Sequence, residues 1–300
     1  MALIFIGEKM TKVLGIIGGS GLYNIDALEN PQWIAVESAF GEPSDELLIG
    51  VVDGLKVVFL PRHGRGHVHS PSTINYRANI DALKRAGVTD LISISACGSF
   101  REELAPKDFV IVDQFIDRTI ARKKTFFDEG VVAHVSVAHP TCGGLSDLVE
   151  KVAVDLPMKM HRGGTYLAME GPQFSTLAES HMYRNWGCDV IGMTNMPEAK
   201  LAREAEICYV TIAMVTDYDS WHPDHGEVDV TEIIKTLNAN SENARLLVKE
   251  IIKLFKECND RHPCKQACDH ALEYAVITQG TVDPKVKARL SAVAGRVLNK

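Results

Sequence analysis

The sequence predicts an α/β fold: a single domain with a mixed β-sheet flanked by helices, followed by a helical C-terminal extension. Three observations predict it. Short apolar runs alternate with segments of helical periodicity, the mark of strands and helices in layers. Asp53-Gly54 lies between two apolar runs and signals a two-residue hairpin, so the sheet is mixed. The chain of 300 residues, 46% hydrophobic and 24% charged, is long enough to bury a large core without staples. The expected boundaries are a tail over 1–11, the main domain over 12–257 and the extension over 258–300.

The elements follow in order. Lys12–Ile17 is a buried strand ended by glycines, and Leu47–Val52 and Leu55–Leu60 form the hairpin. Ser72–Arg85 has helical spacing through Ile74, Ala78, Ala82 and Leu83, and Gly87 stops it. Val88–Ser95 and Phe109–Asp113 are strands, and Leu145–Leu156 is a helix closed by Pro157. Gly164–Glu170 is extended and Ala178–Trp186 helical. Val190–Met193 is a short strand, and a helix over Met196–Glu206 starts at Pro197. Ile207–Thr216 is an almost wholly apolar strand. Two long helices are expected over Val230–Phe255 and Lys285–Leu298. Trp186 and Trp221 read as core, with pocket walls as the alternative.

Charge and composition exclude several classes. The net charge of −7 argues against a protein that binds nucleic-acid backbones. No run of 18 apolar residues predicts a membrane span, and Met1–Ile6 is too short for a signal-peptide core. Met10, just before the first strand, makes residues 1–9 either an upstream start or a frayed tail. Seven scattered cysteines, an odd number, suit a reducing cytoplasm. The segment His262-Pro-Cys264-Lys-Gln-Ala-Cys268-Asp-His270 has some look of a metal site. Its Cys-x₃-Cys lacks a second pair and equally puts both sulfurs on one helix face, so it is read as helix with no metal.

Ligands of open α/β sheets bind beyond the carboxyl ends of strands, and four strand ends carry suggestive residues. Gly18-Gly19-Ser20-Gly21 fits neither the dinucleotide fingerprint nor the P-loop, leaving an anion-binding nest of N–H groups or a plain tight turn. Arg62, His63, Arg65, His67 and His69 follow the hairpin strand. Two fixed cations argue against a second metal ion there and suit a phosphate, the alternative being a solvated basic loop. Ser95-Ala-Cys-Gly-Ser99 ends the next strand, and Thr216-Asp-Tyr-Asp219 the last. Asp217 and Asp219 are either a general-acid pair, a glycosidase-like pair, or a capping turn. These residues alone give an α/β enzyme with an anion site and a carboxylate, without a reaction.

In combination the segments resemble the trimeric purine nucleoside phosphorylase family, in its methylthioadenosine phosphorylase branch, from about Val13 to Leu254. The resemblance rests on Gly15–Leu22, Pro61–Arg65, Asn75–Asn79, Ser95–Ser99, Asp113–Arg118, Met169–Phe174, Met193–Glu198 and Thr216–Asp219, in the family's order. It implies a nucleoside phosphorylase-like fold, a nucleoside and inorganic phosphate as the partners, and a homotrimer or dimer of trimers. It implies no metal or organic cofactor, since phosphate is a co-substrate.

The implied reaction is phosphate-dependent cleavage of S-methyl-5′-thioadenosine to adenine and 5-methylthioribose 1-phosphate, in purine and methionine salvage. The implied phosphate site is Ser20, Arg62, His63, Ser95, the Ala96 backbone and Thr194. Met193 matches a ribose contact, Phe174 a base-stacking position and Ile191 another substrate contact. His67 lies near the 5′ substituent, His134 reaches in from a neighbouring subunit, and Val230, Ile233 and Ile234 form the apolar 5′ wall.

Branches preferring 6-oxopurines carry Asn where Asp217 stands. A carboxylate accepts from a 6-amino group and faces a 6-oxo group acceptor to acceptor, so Asp217 and Asp219 point to adenine. Asp217 is the implied acid near N7, with Asp219 in support. The chain departs from the better-known eukaryotic pattern at Ser20 and at Asn195-Met196; the latter also occurs in bacterial relatives that use methylthioinosine, the alternative substrate together with other 6-oxopurine nucleosides. A silent nucleoside-binding protein and a water-using hydrolase complete the alternatives. The stretch after Lys256 lies outside the resemblance and is read as helices closing over the 5′ pocket.

Overall fold

The computed structural model describes residues 12–19, 22, 27–223, 230–258 and 264–299, less the side chains of Val230 and Glu232. The expected tail over 1–11, as well as Ser20, Gly21 and His262, lies outside the described residues.

Eleven strands form one branched sheet. Its main path runs β2 (Glu29–Ile34), β3 (Leu47–Val52), β4 (Leu55–Pro61), β1 (Leu14–Gly18), β5 (Asp90–Ser99), β10 (Val190–Gly192), β9 (Thr165–Ala168) and β7 (Gln114–Asp117). A branch leaves β5 through β11 (Cys208–Asp217) to β6 (Phe109–Val112) and β8 (Met160–Arg162). The hairpin forms as the sequence predicts: β3 and β4 are antiparallel, and Asp53 and Gly54 both take positive φ, 48° and 85°. Three strands escaped the sequence reading. β2 is an exposed edge strand containing Pro31, while β7 and β8 are four and three residues long.

The central strands are buried on both faces, which is why they read as unbroken apolar runs. In β11, Tyr209, Ala213 and Val215 face one core with Val58, Ile80 and Leu83. Val210, Ile212 and Met214 face the other with Phe59, Leu145 and Ile251. The first core is closed by α1 (Tyr76–Arg85) and α4 (Asn195–Glu204), the second by α2 (Gly143–Ala153) and α5 (Val230–Glu257). α1 starts four residues later than its periodicity suggested, because the Asn75 side chain caps it by accepting from Ala78 N. α3 (Leu177–Asn185) starts on a Thr176/Glu179 capping box. Trp221 is core, and its Nε1 donates to Ser99 O at 2.7 Å. Trp186, expected in the core, is 48% exposed.

The C-terminal extension departs from expectation. The helix expected over Lys285–Leu298 is two helices, α6 (Pro284–Arg289) and α7 (Ser291–Leu298), separated at Leu290. Cys264 and Cys268 do not share a helix: a turn with Ala267 at φ 46° leads into a short 3₁₀ segment, Cys268–His270. None of the described residues of the extension lines the cavity beyond the strand ends. Leu290, Val293, Ala294 and Leu298 join the core beside α1, so the tail completes the body of the fold. Arg296 clamps it there, with Nη2 and Nε donating to buried Glu206 at 2.6 and 2.8 Å. Glu206 also accepts from Leu272 N at 2.9 Å.

Arg296→Met is therefore expected to lower stability by about 2 kcal/mol, since it leaves a buried carboxylate short of its cation. Denaturant unfolding gives that figure. kcat should be unchanged at temperatures well below Tm; a fall in kcat at intact stability would return the extension to the pocket.

Candidate functional site

A cavity of about 400 Å³ opens where β4, β5, β10 and β11 end. Gly19, Arg62, His63, Ser95, Ala96 and Thr194 line one part of it. Asp217, Asp219 and Thr216 line another. Phe174, Ile191, Met193, Met214, Ile233 and Leu237 give it apolar walls.

The polar end is held from beneath. Arg62 is buried, and its Nε and Nη2 grip Glu198 at 2.8 and 3.1 Å. Nη2 also reaches Ser93 Oγ at 2.6 Å and Ile17 O at 3.3 Å, and Nη1 reaches Ile94 O at 2.9 Å. Two-pronged binding of an anion, the chemistry that suggested a phosphate here, is thus taken up by Glu198. One N–H on Nη1 has no partner among the described residues. Burial alone would pull the guanidinium's pKa down; the Glu198 carboxylate more than reverses that and keeps it charged. Arg65 does not join the site. It is stacked 4.1 Å from the Trp33 ring centre and paired with Asp45 and Glu46 at 2.7 and 2.9 Å.

His63 Nδ1 lies 2.8 Å from the carbonyl of His69, which can only accept. Nδ1 therefore carries the hydrogen and Nε2 presents a lone pair. Burial, with Arg62 alongside, lowers the His63 pKa to about 4, so the ring is neutral at pH 7. His67 stacks on it at 4.1 Å. The Ser95 hydroxyl donates inward to Asn195 Oδ1 at 2.8 Å, whereas the Thr194 hydroxyl makes no capping bond to α4.

At the acidic end, a β-bulge decides where the carboxylates go. β11 pairs with β5 residue for residue up to Val215, opposite Cys97; the register then shifts so that Asp217 stands opposite Gly98. One extra residue reverses the alternation of faces, and Asp217 joins Met214 and Thr216 on the cavity side. Asp217 Oδ1 accepts from Asp219 N at 2.8 Å. The single proton of the Thr216 hydroxyl lies between Cys97 O at 3.1 Å and Asp217 Oδ2 at 2.6 Å. The carbonyl can only accept. When Thr216 donates to it, the short contact must carry a proton from Asp217. Burial raises the pKa of Asp217, and the charge of Asp219 adds to the rise. Burial also raises that of Asp219, whose Oδ2 is buried with no hydrogen-bond partner among the described residues.

Twelve of the fourteen side-chain positions expected at the site with described side chains line this cavity together: Asp217, Asp219, Arg62, His63, Ser95, Ala96, Thr194, Met193, Phe174, Ile191, His67 and Ile233. Ile234 is 51% exposed and off the lining, because the next residue on a helix turns about 100° away from Ile233. His134 is exposed outside the cavity, in a bridge from Ala133 to Val276. Ser20 and the Val230 side chain lie outside the described residues.

Sequence reasoning missed the support beneath the lining. Glu198, Ser93, Asn195 and Tyr209 form a buried network under Arg62. Arg122 donates to Met193 O and Met196 O at 2.5 and 2.6 Å and to Glu170 O at 2.7 Å, fixing two wall segments. Two glycines make room. A Cβ at Gly98 would lie 2.9 Å from Asp217 Oδ1, and one at Gly192 only 1.8 Å from the Tyr166 hydroxyl. The available signal was the glycines inside otherwise apolar strands.

The acidic pair is expected to cost stability. A carboxyl whose pKa is raised on folding contributes stability fully present below the usual carboxylate range, lost as pH rises through its folded pKa. Asp219→Asn should therefore melt a few degrees above the wild type at pH 7, and the gap should close as the pH falls below the ordinary carboxylate range. Thermal unfolding across pH measures it; a variant less stable at pH 7 would contradict the reading. Gly192→Ala should displace Tyr166 and lower kcat/KM at least tenfold, with a Tm loss. Steady-state kinetics beside thermal unfolding would show both.

Comparison with known proteins identifies the family. The family model of the phosphorylase superfamily matches residues 13–253. An S-methyl-5′-thioadenosine phosphorylase of Cereibacter sphaeroides is 63% identical over 96% of this chain and 99% of its own. One from Rhodospirillum rubrum is 60% identical over 95% and 97%. The crystal structure of a methylthioadenosine phosphorylase from an antarctic soil metagenomic library superposes with a TM-score of 0.88, at 45% identity over 95% of this chain and 99% of that one. A variant of the Schistosoma mansoni adenosine/methylthioadenosine phosphorylase, in complex with methylthioadenosine, superposes at 0.78, with 33% identity over 87% and 96%. A cavity of this construction, on a chain this similar along nearly its whole length, belongs to the S-methyl-5′-thioadenosine phosphorylase family of the phosphorylase superfamily.

Proposed function

We propose that this protein cleaves S-methyl-5′-thioadenosine with inorganic phosphate, giving adenine and 5-methylthioribose 1-phosphate. The observation that carries the proposal is one cavity with Arg62, His63 and Thr194 at one end, the Asp217–Asp219 pair at the other, and apolar walls between. Phosphate rests against the spare Nη1 hydrogen of Arg62 and the Thr194 hydroxyl. The Nε2 lone pair of neutral His63 accepts from the remaining O–H of hydrogen phosphate. A phosphate oxygen attacks C1′ of the ribose as the C1′–N9 bond breaks, and the bond's electron pair passes into the purine. Asp217 supplies the proton that the purine gains at N7, and Asp219 meets the 6-amino side. Burial supports that role, since it raises the pKa of Asp217 and favours its protonated form.

Phe174 stacks on the base, Met193 and Ile191 face the ribose and base, and Ile233 and Leu237 receive the methylthio group, an environment in which an unpaired 5′-hydroxyl is disfavoured. The reaction needs no metal or organic cofactor, and its role is purine and methionine salvage. The active form is a homotrimer, with His134 of each subunit completing a neighbour's pocket; its exposure on a surface loop is compatible with this. Among the described residues no helix is long and apolar enough to cross a membrane. The reading places the enzyme in the cytoplasm.

Product analysis with and without phosphate tests the reaction. Adenine should appear only with phosphate, and faster from S-methyl-5′-thioadenosine than from adenosine. Rapid hypoxanthine release from methylthioinosine with little adenine would overturn the base assignment, and release without phosphate would make the enzyme a hydrolase. Asp217→Asn should lower kcat for adenine release by about 10²–10⁴-fold while leaving the KM for phosphate nearly unchanged. It should also shift the adenine-to-hypoxanthine preference toward hypoxanthine.

A further inference from the structure

The four cysteines Cys142, Cys208, Cys264 and Cys268 meet in space although they come from three distant parts of the chain. All four sulfurs lie within 4.8 Å of one another. Cys142 precedes α2, Cys208 opens β11, and Cys264 and Cys268 flank the turn of the C-terminal extension. We propose that these four sulfurs bind one tetrahedral zinc ion, a structural site that fastens the extension to the sheet.

The distances carry the argument first. A Zn–S bond of about 2.3 Å sets the sulfur–sulfur edge of a tetrahedron at about 3.8 Å. Cys142 Sγ and Cys264 Sγ are 3.7 Å apart. A disulfide needs about 2.05 Å, and none joins these cysteines. Four soft thiolate donors with no carboxylate among them select zinc over magnesium or calcium.

The surroundings suit a tetrathiolate. Its net charge of about −2 needs nearby donors. Arg203 Nη1 donates to Cys268 Sγ at 3.1 Å, and Cys268 N to Cys264 Sγ at 3.1 Å. The Cys142 side chain makes no capping bond at the start of α2, whose positive end favours a thiolate. The turn is held independently: Gln266 Oε1 accepts from Gly143 N at 3.2 Å, and Gln266 O from Arg203 Nη2 at 2.9 Å. Cys142, Cys208 and Cys268 are buried and Cys264 is half-buried. On binding, four S–H bonds become four Zn–S bonds, four protons leave to solvent and no electron moves.

Cys208 and Asp217 are the two ends of the same ten-residue strand. At about 3.3 Å per residue the metal lies roughly 30 Å from the acidic pair, so it serves the fold and not the chemistry.

The test uses the full-length protein, purified under reducing conditions, stripped with a chelator and reloaded with zinc chloride. Elemental analysis should find about one zinc per chain. Cobalt loaded in its place should give the thiolate-to-metal charge-transfer band and the d–d bands of a tetrahedral tetrathiolate. Stripping should lower Tm, and reloading should restore it, with kcat measured well below Tm unchanged throughout. Cys268→Ser should lose the zinc, while Cys258→Ser, outside the cluster, should keep it. The cobalt spectrum of the unaltered chain keeps the test valid if Cys268→Ser fails to fold. A mass lower by four hydrogens with no metal would mean two disulfides and overturn the proposal. Four reactive thiols that take up neither zinc nor cobalt would overturn it as well.

Discussion

The ion pair between Arg62 and Glu198 is the constraint on which the site depends. Each side chain is only 1% exposed. Two charges taken out of water need each other and further hydrogen bonds, and losing either one costs about 3–5 kcal/mol. The partners of this pair are parts of the scaffold: the end of β4 carries Arg62, α4 carries Glu198, and Ile17 and Ile94 on β1 and β5 offer carbonyls. Holding the pair together therefore holds four elements in mutual position. The loops that leave those elements have to face one cavity. The charge that fixes the fold still has one N–H to offer an anion.

The two ends of the cavity solve opposite electrostatic problems. The Arg62 end is cationic although buried, because Glu198 keeps the guanidinium charged there. His63 contributes no second charge, because burial leaves it neutral and its carbonyl partner fixes the tautomer. At the acidic end burial raises the pKa of both carboxyls, and no cation among the described residues offsets it. The bonds to Asp217 come from a hydroxyl and a backbone N–H, and its nearest charge is another carboxylate. Both ends rest on desolvation. What separates them is the partner supplied, and that partner is chosen by the strand the residue ends.

Much of this was legible in the sequence. Buried strands announce themselves by apolar runs, and the hairpin by Asp53-Gly54. The site residues are visible because they sit where such runs stop. What could not be read has physical reasons. β7 and β8 are too short to show a period, and β2 borders solvent and has no apolar face. Arg65 looks like Arg62 in sequence; only folding shows that Asp45 and Glu46 occupy it. The bulge at Thr216 leaves no trace in composition, yet without it Asp217 would point into the first core beside Val215. Glu198 and Asn195 were quoted within a motif but had no visible task, since buried support acts across the sheet.

The cysteines illustrate the same limit in its strongest form. A metal site is recognised in sequence by paired ligands, and here one pair, Cys264 and Cys268, is contiguous while the other two ligands stand 122 residues and more than 50 residues away. β11 brings them together: its first residue is Cys208, and the carbonyl of the next residue, Tyr209, accepts from Cys142 N at 2.8 Å where α2 starts. One strand thus carries a sulfur cluster at its beginning and the acidic pair at its end. A rigid tetrahedron at the beginning ties the C-terminal extension to the sheet. The bulge that aims Asp217 is a one-residue register shift, and a strand free to slip would erase it. The β5 and β6 ladders on either side of β11 hold that register, so a metal at the far end of the strand fastens the extension and leaves the aim of the carboxylate to the sheet.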